Sequence, residues 1–157
     1  LEFRRVLFRS NLPLLLRQKL EQAFVINAVH IHETQSSADG TLKCAMRLHD
    51  QYVVESVLIP QGKRMTACIS SQVGCSLTCS FCATGKLKRM RNLQADEIYD
   101  QVMLVNETAL NTYQQKLSNI VFMGMGEPLL NYNQVKEAIT KLCAPEDRKS
   151  TRLNSSH

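Results

Sequence analysis

Three cysteines, Cys75, Cys79 and Cys82, stand at C-x3-C-x2-C spacing, with the aromatic Phe81 immediately before the last. Thiolates this close along a chain can grip one multi-metal centre, and cysteine thiolates are the usual ligands of a 4Fe–4S cluster. Three ligands for four irons leave one iron open to chelate a substrate, and a cluster of low potential can pass an electron into it. Zinc uses cysteine differently: its sites pair C-x2-C with a second distant pair or with histidines. Only Cys79 and Cys82 make such a pair here, and Cys44, Cys68 and Cys143 lie at no zinc-like spacing. A disulfide framework is not expected, because no signal peptide is visible and a 157-residue chain with a real core does not need staples. Clustered core cysteines would not normally be interleaved with Gly74, Ser76, Thr78 and Ser80.

The rest of the chain reads as a carrier for this loop. Asn11 and Pro13 open a predicted helix over 11–24, with Leu12, Leu15, Leu16, Leu20 and Phe24 at helical spacing for packing. Predicted strands follow over 25–34, 41–49, 52–59 and 64–70, with Asp39-Gly40 marking a hairpin turn. His30, His32 and His49 alternate with apolar residues and read as surface or satisfied strand positions. Asp96 is expected to cap a helix over about 97–111 that turns Ile98, Val102, Val105 and Ala109 inward. The apolar, β-branched run 118–123 suits a buried parallel strand and ends in Gly124-Met125-Gly126-Glu127-Pro128. Glycines let backbone approach a ligand closely, and a carboxylate can hold an ammonium group. A last helix, about 134–143, should face Val135, Ile139 and Leu142 inward, with Cys143 in the core.

These elements predict an α/β chain: a helix over 11–24, a small antiparallel sheet over 25–64, then the first units of a partial (βα)6 barrel over 65–146. Such barrels gather their sites at the C-terminal ends of the strands. At roughly 30 residues per unit, the barrel part has room for about two units. The formal charge of +5 suggests a nucleic-acid partner until it is located. Residues 1–10 carry +2 and residues 148–157 carry +3, leaving zero between them. Segments 1–10 and 147–157 resemble peptides translated from sequencing-adapter DNA, so they are read as non-native tails on an internal fragment of a longer protein. No apolar run is long enough to span a membrane.

C-x3-C-x-aromatic-C, preceded by Cys68 and followed by Arg91-Asn92-Leu93 and Gly124-Met-Gly-Glu127-Pro128, resembles the RlmN/Cfr family of radical S-adenosylmethionine (SAM) enzymes. The resemblance covers roughly residues 11 to 146 and is close in 68–93 and 119–131. It implies an RNA methyltransferase that acts on carbon 2 of an adenine in 23S rRNA and tRNA, through a methylated cysteine near the C-terminus. Cys75, Cys79 and Cys82 are then the ligands of a 4Fe–4S cluster that binds SAM. Gly126, Glu127 and Phe81 are cofactor-binding residues, with the Gly-rich loop at the SAM amino group. Glu55 is implied as the proton acceptor, a task that suits a carboxylate whose proton affinity is raised by burial. Cys68 is implied to release product through a transient disulfide, which the cytosol allows. Lys86, Lys88, Arg89 and Arg91 make a basic patch for RNA phosphates or the SAM carboxylate, or else a solvated loop; Arg91 is favoured as the functional cation. A cytoplasmic location and a reducing donor such as a flavodoxin complete the expectation. The chain as written is expected to be catalytically incomplete. A carbon-8 methylating or other radical SAM enzyme, and a non-enzymatic metal-binding RNA module, remain the alternatives.

Overall fold

A computed structural model describes residues 13–23, 29–77 and 79–144; of 20–23 it describes the backbone alone. Asn11, Leu12, Phe24, residues 25–28 and both predicted tails lie outside those residues. Helix α1 (Leu14–Ala23) starts directly after Pro13, whose carbonyl accepts the N–H groups of Leu16 and Arg17 at 3.0 and 3.1 Å. Leu15 and Leu16 are exposed, so the packing expected of the helix is not made by those two among the described residues.

Strands β1 (His30–Ser36), β2 (Leu42–Arg47), β3 (Val53–Gln61) and β4 (Arg64–Cys68) form an antiparallel meander. Its first turn needs Gly40 at φ 85°, and the Asp39 carboxylate takes the Thr41 N–H at 2.9 Å. Two short strands, β5 (Gln72–Val73) and β6 (Arg91–Asn92), pair with each other across the base of the cysteine loop. Helix α2 (Ala95–Tyr113) then crosses back, and β7 (Asn119–Val121) joins the main sheet parallel to β4, giving the order β1-β2-β3-β4-β7. A parallel neighbour requires such a crossover. Helix α3 (Tyr132–Leu142) follows and packs beside α2. The strand–helix–strand–helix order of 65–146 is therefore as expected, on a mixed α/β sheet.

The alternation in β2 and β3 decides which face is filled. Leu42, Cys44 and Met46 on β2, Val54, Ser56 and Leu58 on β3, and Met65 and Ala67 on β4 are buried, and they share one face by cross-strand register. Ile98, Val102, Val105 and Ala109 of α2 are buried with them in one core. A fully buried side chain of this size contributes about 1.5–3 kcal/mol, so this seam holds α2 to the sheet. The opposite face carries Lys43, Glu55, Val57, Cys68 and Val121; the side chains of Lys43 and Glu55 are partly exposed on it and Cys68 is buried.

Four local expectations are corrected. The cap of α2 is Gln94, not Asp96: Gln94 takes the backbone N–H of Glu97, and Glu97 reaches back to the Gln94 N–H at 2.9 Å. That reciprocal pair starts the helix before Asp96, which becomes a first-turn carboxylate favoured by the helix dipole. Strand β7 is short and half-buried, because it is an edge strand among the described residues. Ile139 is 42% exposed, since α3 meets its neighbours along Val135, Ala138 and the half-buried Leu142. Cys143 is exposed at the end of α3, where the chain leaves the packed seam, and is not core.

Candidate cofactor site at the ends of two parallel strands

The segment just past β4 is the hub of the site. Ile69 extends the ladder, donating to the Val121 carbonyl at 2.9 Å and accepting from Gly124 at 3.1 Å. Ser70 Oγ donates to the Glu55 carbonyl at 2.6 Å and accepts the Met125 N–H at 2.8 Å. The Met125 carbonyl takes the N–H groups of Ser71 and Gln72 at 2.9 and 3.2 Å. Gln101 of α2, fully buried, accepts from Ser56 Oγ and Ser70 N, each at 3.0 Å, and donates to the Ser70 carbonyl at 3.2 Å. Asn131 donates to the carbonyls of Ser71 and Leu93, each at 2.8 Å. These bonds pair the buried polar groups of the hub as burial demands, with Ser71 Oγ the one left without a partner among the described residues, and together they lock the Gly-rich loop against the root of the cysteine loop.

The glycines serve that contact. A Cβ at Gly124 would lie 2.7 Å from Ser70 Oγ and 2.8 Å from the Ile69 carbonyl; one at Gly126 would lie 2.5 Å from Gln72 Cβ. Their lack of a side chain is thus used up on protein, where the sequence suggested approach to a ligand. Gly126 also sits at φ 94°, outside the range of L side chains. Gly126→Ala is expected to destabilise the chain by roughly 2–4 kcal/mol, the sum of backbone strain and forced repacking. Urea unfolding measures it, and a loss below about 1 kcal/mol would contradict the packing described.

The cysteine loop leaves β5 through Gly74, at φ 73°, where a Cβ would fall 2.2 Å from the Lys88 carbonyl. It returns where Met90 donates to the Val73 carbonyl at 2.8 Å. Between these, Cys82 donates to the Cys79 carbonyl at 3.1 Å, and Thr84–Lys86 forms a single 3-10 turn. Cys75 and Cys82 are half-buried and Cys79 is exposed; all three are free thiols. No three His, Cys, Asp or Glu side chains among the described residues converge as they would around one ion. The chemistry of the donor set nevertheless fits an iron–sulfur group. All three sulfurs sit on one loop clamped at its base, none is sealed in an apolar pocket, and metal binding itself completes many such sites. The N–H groups of Gly85 and Thr84 hold the Cys82 thiol below its ordinary value, toward the thiolate that ligates metal. A shallow cleft of about 440 Å³ lies between Cys75–Ser76 and Gly85–Arg89, so Lys86, Lys88 and Arg89 border it.

The other predicted site residues fall as follows. Glu127 donates its N–H to Gln72 Oε1 at 2.9 Å, and its Oε1 accepts from Leu129 N at 3.0 Å, capping the turn Pro128–Asn131. Phe81 is 92% exposed. Cys68 is buried opposite Val57 and Val121, and burial pushes its thiol up. Glu55 lies on the same face of the sheet but is not buried: it is 49% exposed and pairs with Lys43 Nζ at 3.2 Å. His30 and His32 are exposed, with His32 Nε2 2.9 Å from Arg47 Nη2.

Arg91 is corrected. Its guanidinium forks onto Glu97 with two bonds of 2.7 Å, donates to Asp50 at 2.6 Å and to the Asn92 carbonyl at 3.0 Å. Glu97 pushes Arg91 up, and Arg91 holds Asp50 below its ordinary value. His49 Nδ1 adds a contact to Glu97 at 3.4 Å. Arg91 is therefore an internal clamp on β6, not an open phosphate ligand. Gln72, Gln101, Asn131, Asp50 and Glu97 escaped the sequence reading. Gln101 carried a signal: a polar residue on the inward face set by Ile98, Val102 and Val105.

The cysteine loop thus leaves the end of β4, and the Gly-Met-Gly-Glu-Pro loop leaves the end of the parallel neighbour β7. The family model described as Radical SAM superfamily matches residues 69–156, more than half of the chain. The chain belongs to the radical SAM superfamily. This radical SAM chain is 57% identical over 137 residues to a protein of Christiangramia forsetii described as a probable dual-specificity RNA methyltransferase RlmN. That alignment covers 87% of this chain and 39% of the relative. A relative of the same description from Chlorobium chlorochromatii is 46% identical, over 85% of this chain and 37% of its own length. A solved radical SAM methyltransferase from Sphaerobacter thermophilus superposes with TM-score 0.81 at 37% identity, over 87% of this chain and 40% of that one. The radical SAM chain therefore spans about two fifths of the length of these relatives.

Proposed function

We propose that this chain is the cofactor-binding portion of an RNA methyltransferase that methylates carbon 2 of an adenine in 23S rRNA and tRNA. The observation that carries the reading is the joining of two motifs, the three-cysteine loop after β4 and the Gly126-Glu127 loop after β7, through residues 69–72. The relatives described as RlmN support the substrate class.

In this reading Cys75, Cys79 and Cys82 hold a 4Fe–4S cluster, and Glu127, with the Gly126 turn, receives the amino end of SAM. Phe81 flanks the same ligand. The cluster and SAM together supply a one-electron route to methyl transfer, with the electron drawn from a reducing protein such as a flavodoxin. A radical route suits the target, because carbon 2 of adenine is electron-poor and is a weak nucleophile toward a sulfonium methyl. Glu55 takes the proton from that carbon; it stands on the same sheet face as the buried Cys68, on the neighbouring strand. Cys68 stays protonated at neutral pH because it is buried; it needs a base before it pairs with the methyl-carrying cysteine of the whole protein. Lys86, Lys88 and Arg89 draw phosphate to the loop. With the sheet closed by further strand–helix units into a (βα)6 barrel, the face that carries Glu55 and Cys68 becomes the barrel interior.

Anaerobic loading with iron and sulfide tests the cofactor part: the expected product carries four irons per chain and a broad iron–thiolate absorbance. A colourless chain holding zinc in their place would sink it and leave a metal-binding module. For the reaction, the full-length protein is expected to place methyl on carbon 2 of an RNA adenine, read by mass analysis of the nucleosides. The 157-residue chain alone is expected to place none. Methyl on carbon 8 would reassign the enzyme to the relatives with that selectivity.

A further inference from the structure

We propose that Gln72 is a positioning residue: its buried carboxamide sets where Glu127 stands relative to the cysteine loop. Gln72 is fully buried on β5. Its Oε1 accepts the Glu127 N–H at 2.9 Å, and its Nε2 donates to Asn92 Oδ1 at 2.7 Å. Asn92 lies on β6, the strand that brings the cysteine loop back. Its Oδ1 also takes Arg89 Nη1 at 3.2 Å, and its Nδ2 donates to the Leu130 carbonyl at 3.3 Å. One amide therefore ties the loop that carries the sulfurs to the loop that carries the carboxylate.

Steric contact reinforces the tie. The stem of Gln72 fills the space a Gly126 side chain would need, with Cβ and Cγ 2.5 and 2.7 Å from the place of that missing Cβ. The stem thus fixes Gly126 while the head fixes Glu127. An apolar side chain there would leave the Glu127 N–H without its acceptor and Asn92 Oδ1 without this donor. Its two-sided polarity is what the junction uses. Gln72 bonds to the backbone of Glu127, not to its carboxylate, so it acts on a ligand only through Glu127. The inference rests on the reading in which Glu127 receives the amino group of SAM.

The test uses the chain loaded anaerobically with iron and sulfide. Gln72→Met keeps the length of the side chain and removes both bonds. Its SAM dissociation constant is expected to rise about tenfold, the lower end of what an unpaired buried group costs, while iron per chain stays as in the unsubstituted protein. Amide exchange at Glu127 should quicken about tenfold in the same variant, with α2 amides unchanged. Gln72→Glu keeps an acceptor for the Glu127 N–H but sets a buried carboxylate against Asn92 Oδ1, so its SAM dissociation constant should also rise, with iron per chain unchanged. Glu127→Gln reports on the underlying reading: if it binds SAM normally, or if the unsubstituted loaded chain binds none, the role of Glu127 falls. If Glu127→Gln weakens SAM binding and Gln72→Met does not, Gln72 has no positioning role. Joint loss of iron and SAM in both Gln72 variants would make it a purely structural residue and overturn the proposal equally.

Discussion

Arg91→Met is expected to destabilise the chain by about 3–5 kcal/mol at pH 7, the cost of stripping a buried ion pair of one partner. Arg91 holds three segments at once: the β2–β3 turn through Asp50, β6 through the Asn92 carbonyl, and the first turn of α2 through Glu97. Methionine keeps much of the stem and removes the fork. Glu97, with a side chain 2% exposed, then keeps only the Gln94 N–H and the His49 contact. An exposed pair would cost no more than about 1 kcal/mol; burial of Glu97 is what raises the figure. The pH dependence follows from Asp50, whose folded value Arg91 holds below the ordinary 3.8. A depressed carboxylate contributes stability that is fully present above the unfolded value and is lost as pH falls through the folded one. The Asp50 share of the difference between the two chains should therefore be full at pH 7 and shrink below pH 3.8. Urea unfolding at pH 7 and pH 3 checks both points. A difference under about 1 kcal/mol at pH 7 would mean the fork is worth no more than a surface pair.

Cys79→Ser is expected to abolish cluster loading while leaving the fold within about 0.5 kcal/mol of the unsubstituted chain, because Cys79 is exposed on the loop. Cys75→Ser and Cys82→Ser should lose iron in the same way, since a hydroxyl is a poor replacement for a thiolate on iron. Two further cysteines calibrate the result. Cys44→Ser places a hydroxyl in the fully buried core and should cost about 1–3 kcal/mol without touching iron content. Cys143→Ser, on the exposed end of α3, should change neither. Iron per chain after anaerobic loading, set beside the urea midpoint, separates the two kinds of cysteine. Full iron retention in the three loop variants would show that the loop is not the cluster site.

Much of the architecture was legible because its signals are local. The predicted strands 41–49 and 52–59 contain β2 and most of β3, and Asp39-Gly40 located the hairpin turn, whereas the face that is buried was not predicted. The run 118–123 located a strand parallel to β4, although only Asn119–Val121 pairs. The boundaries of α2 were misread because its cap is a side-chain exchange between Gln94 and Glu97, and neither residue ranks with Asp as a default cap.

Residue identity and spacing alone determined that this chain carries three clustered thiols and a Gly-x-Gly-Glu-Pro loop, and so its kinship. These are short-range properties, written in consecutive residues. Only the tertiary structure decided that Arg91 is spent on Asp50 and Glu97, that the glycines of the second loop meet Ile69, Ser70 and Gln72, and that Glu55 stands half-exposed beside Lys43. Asp50 and Arg91 are 41 residues apart, and Gln72 and Glu127 are 55 apart. Charge and polarity state what a side chain is able to bond; which partner it meets depends on how the sheet brings distant segments together.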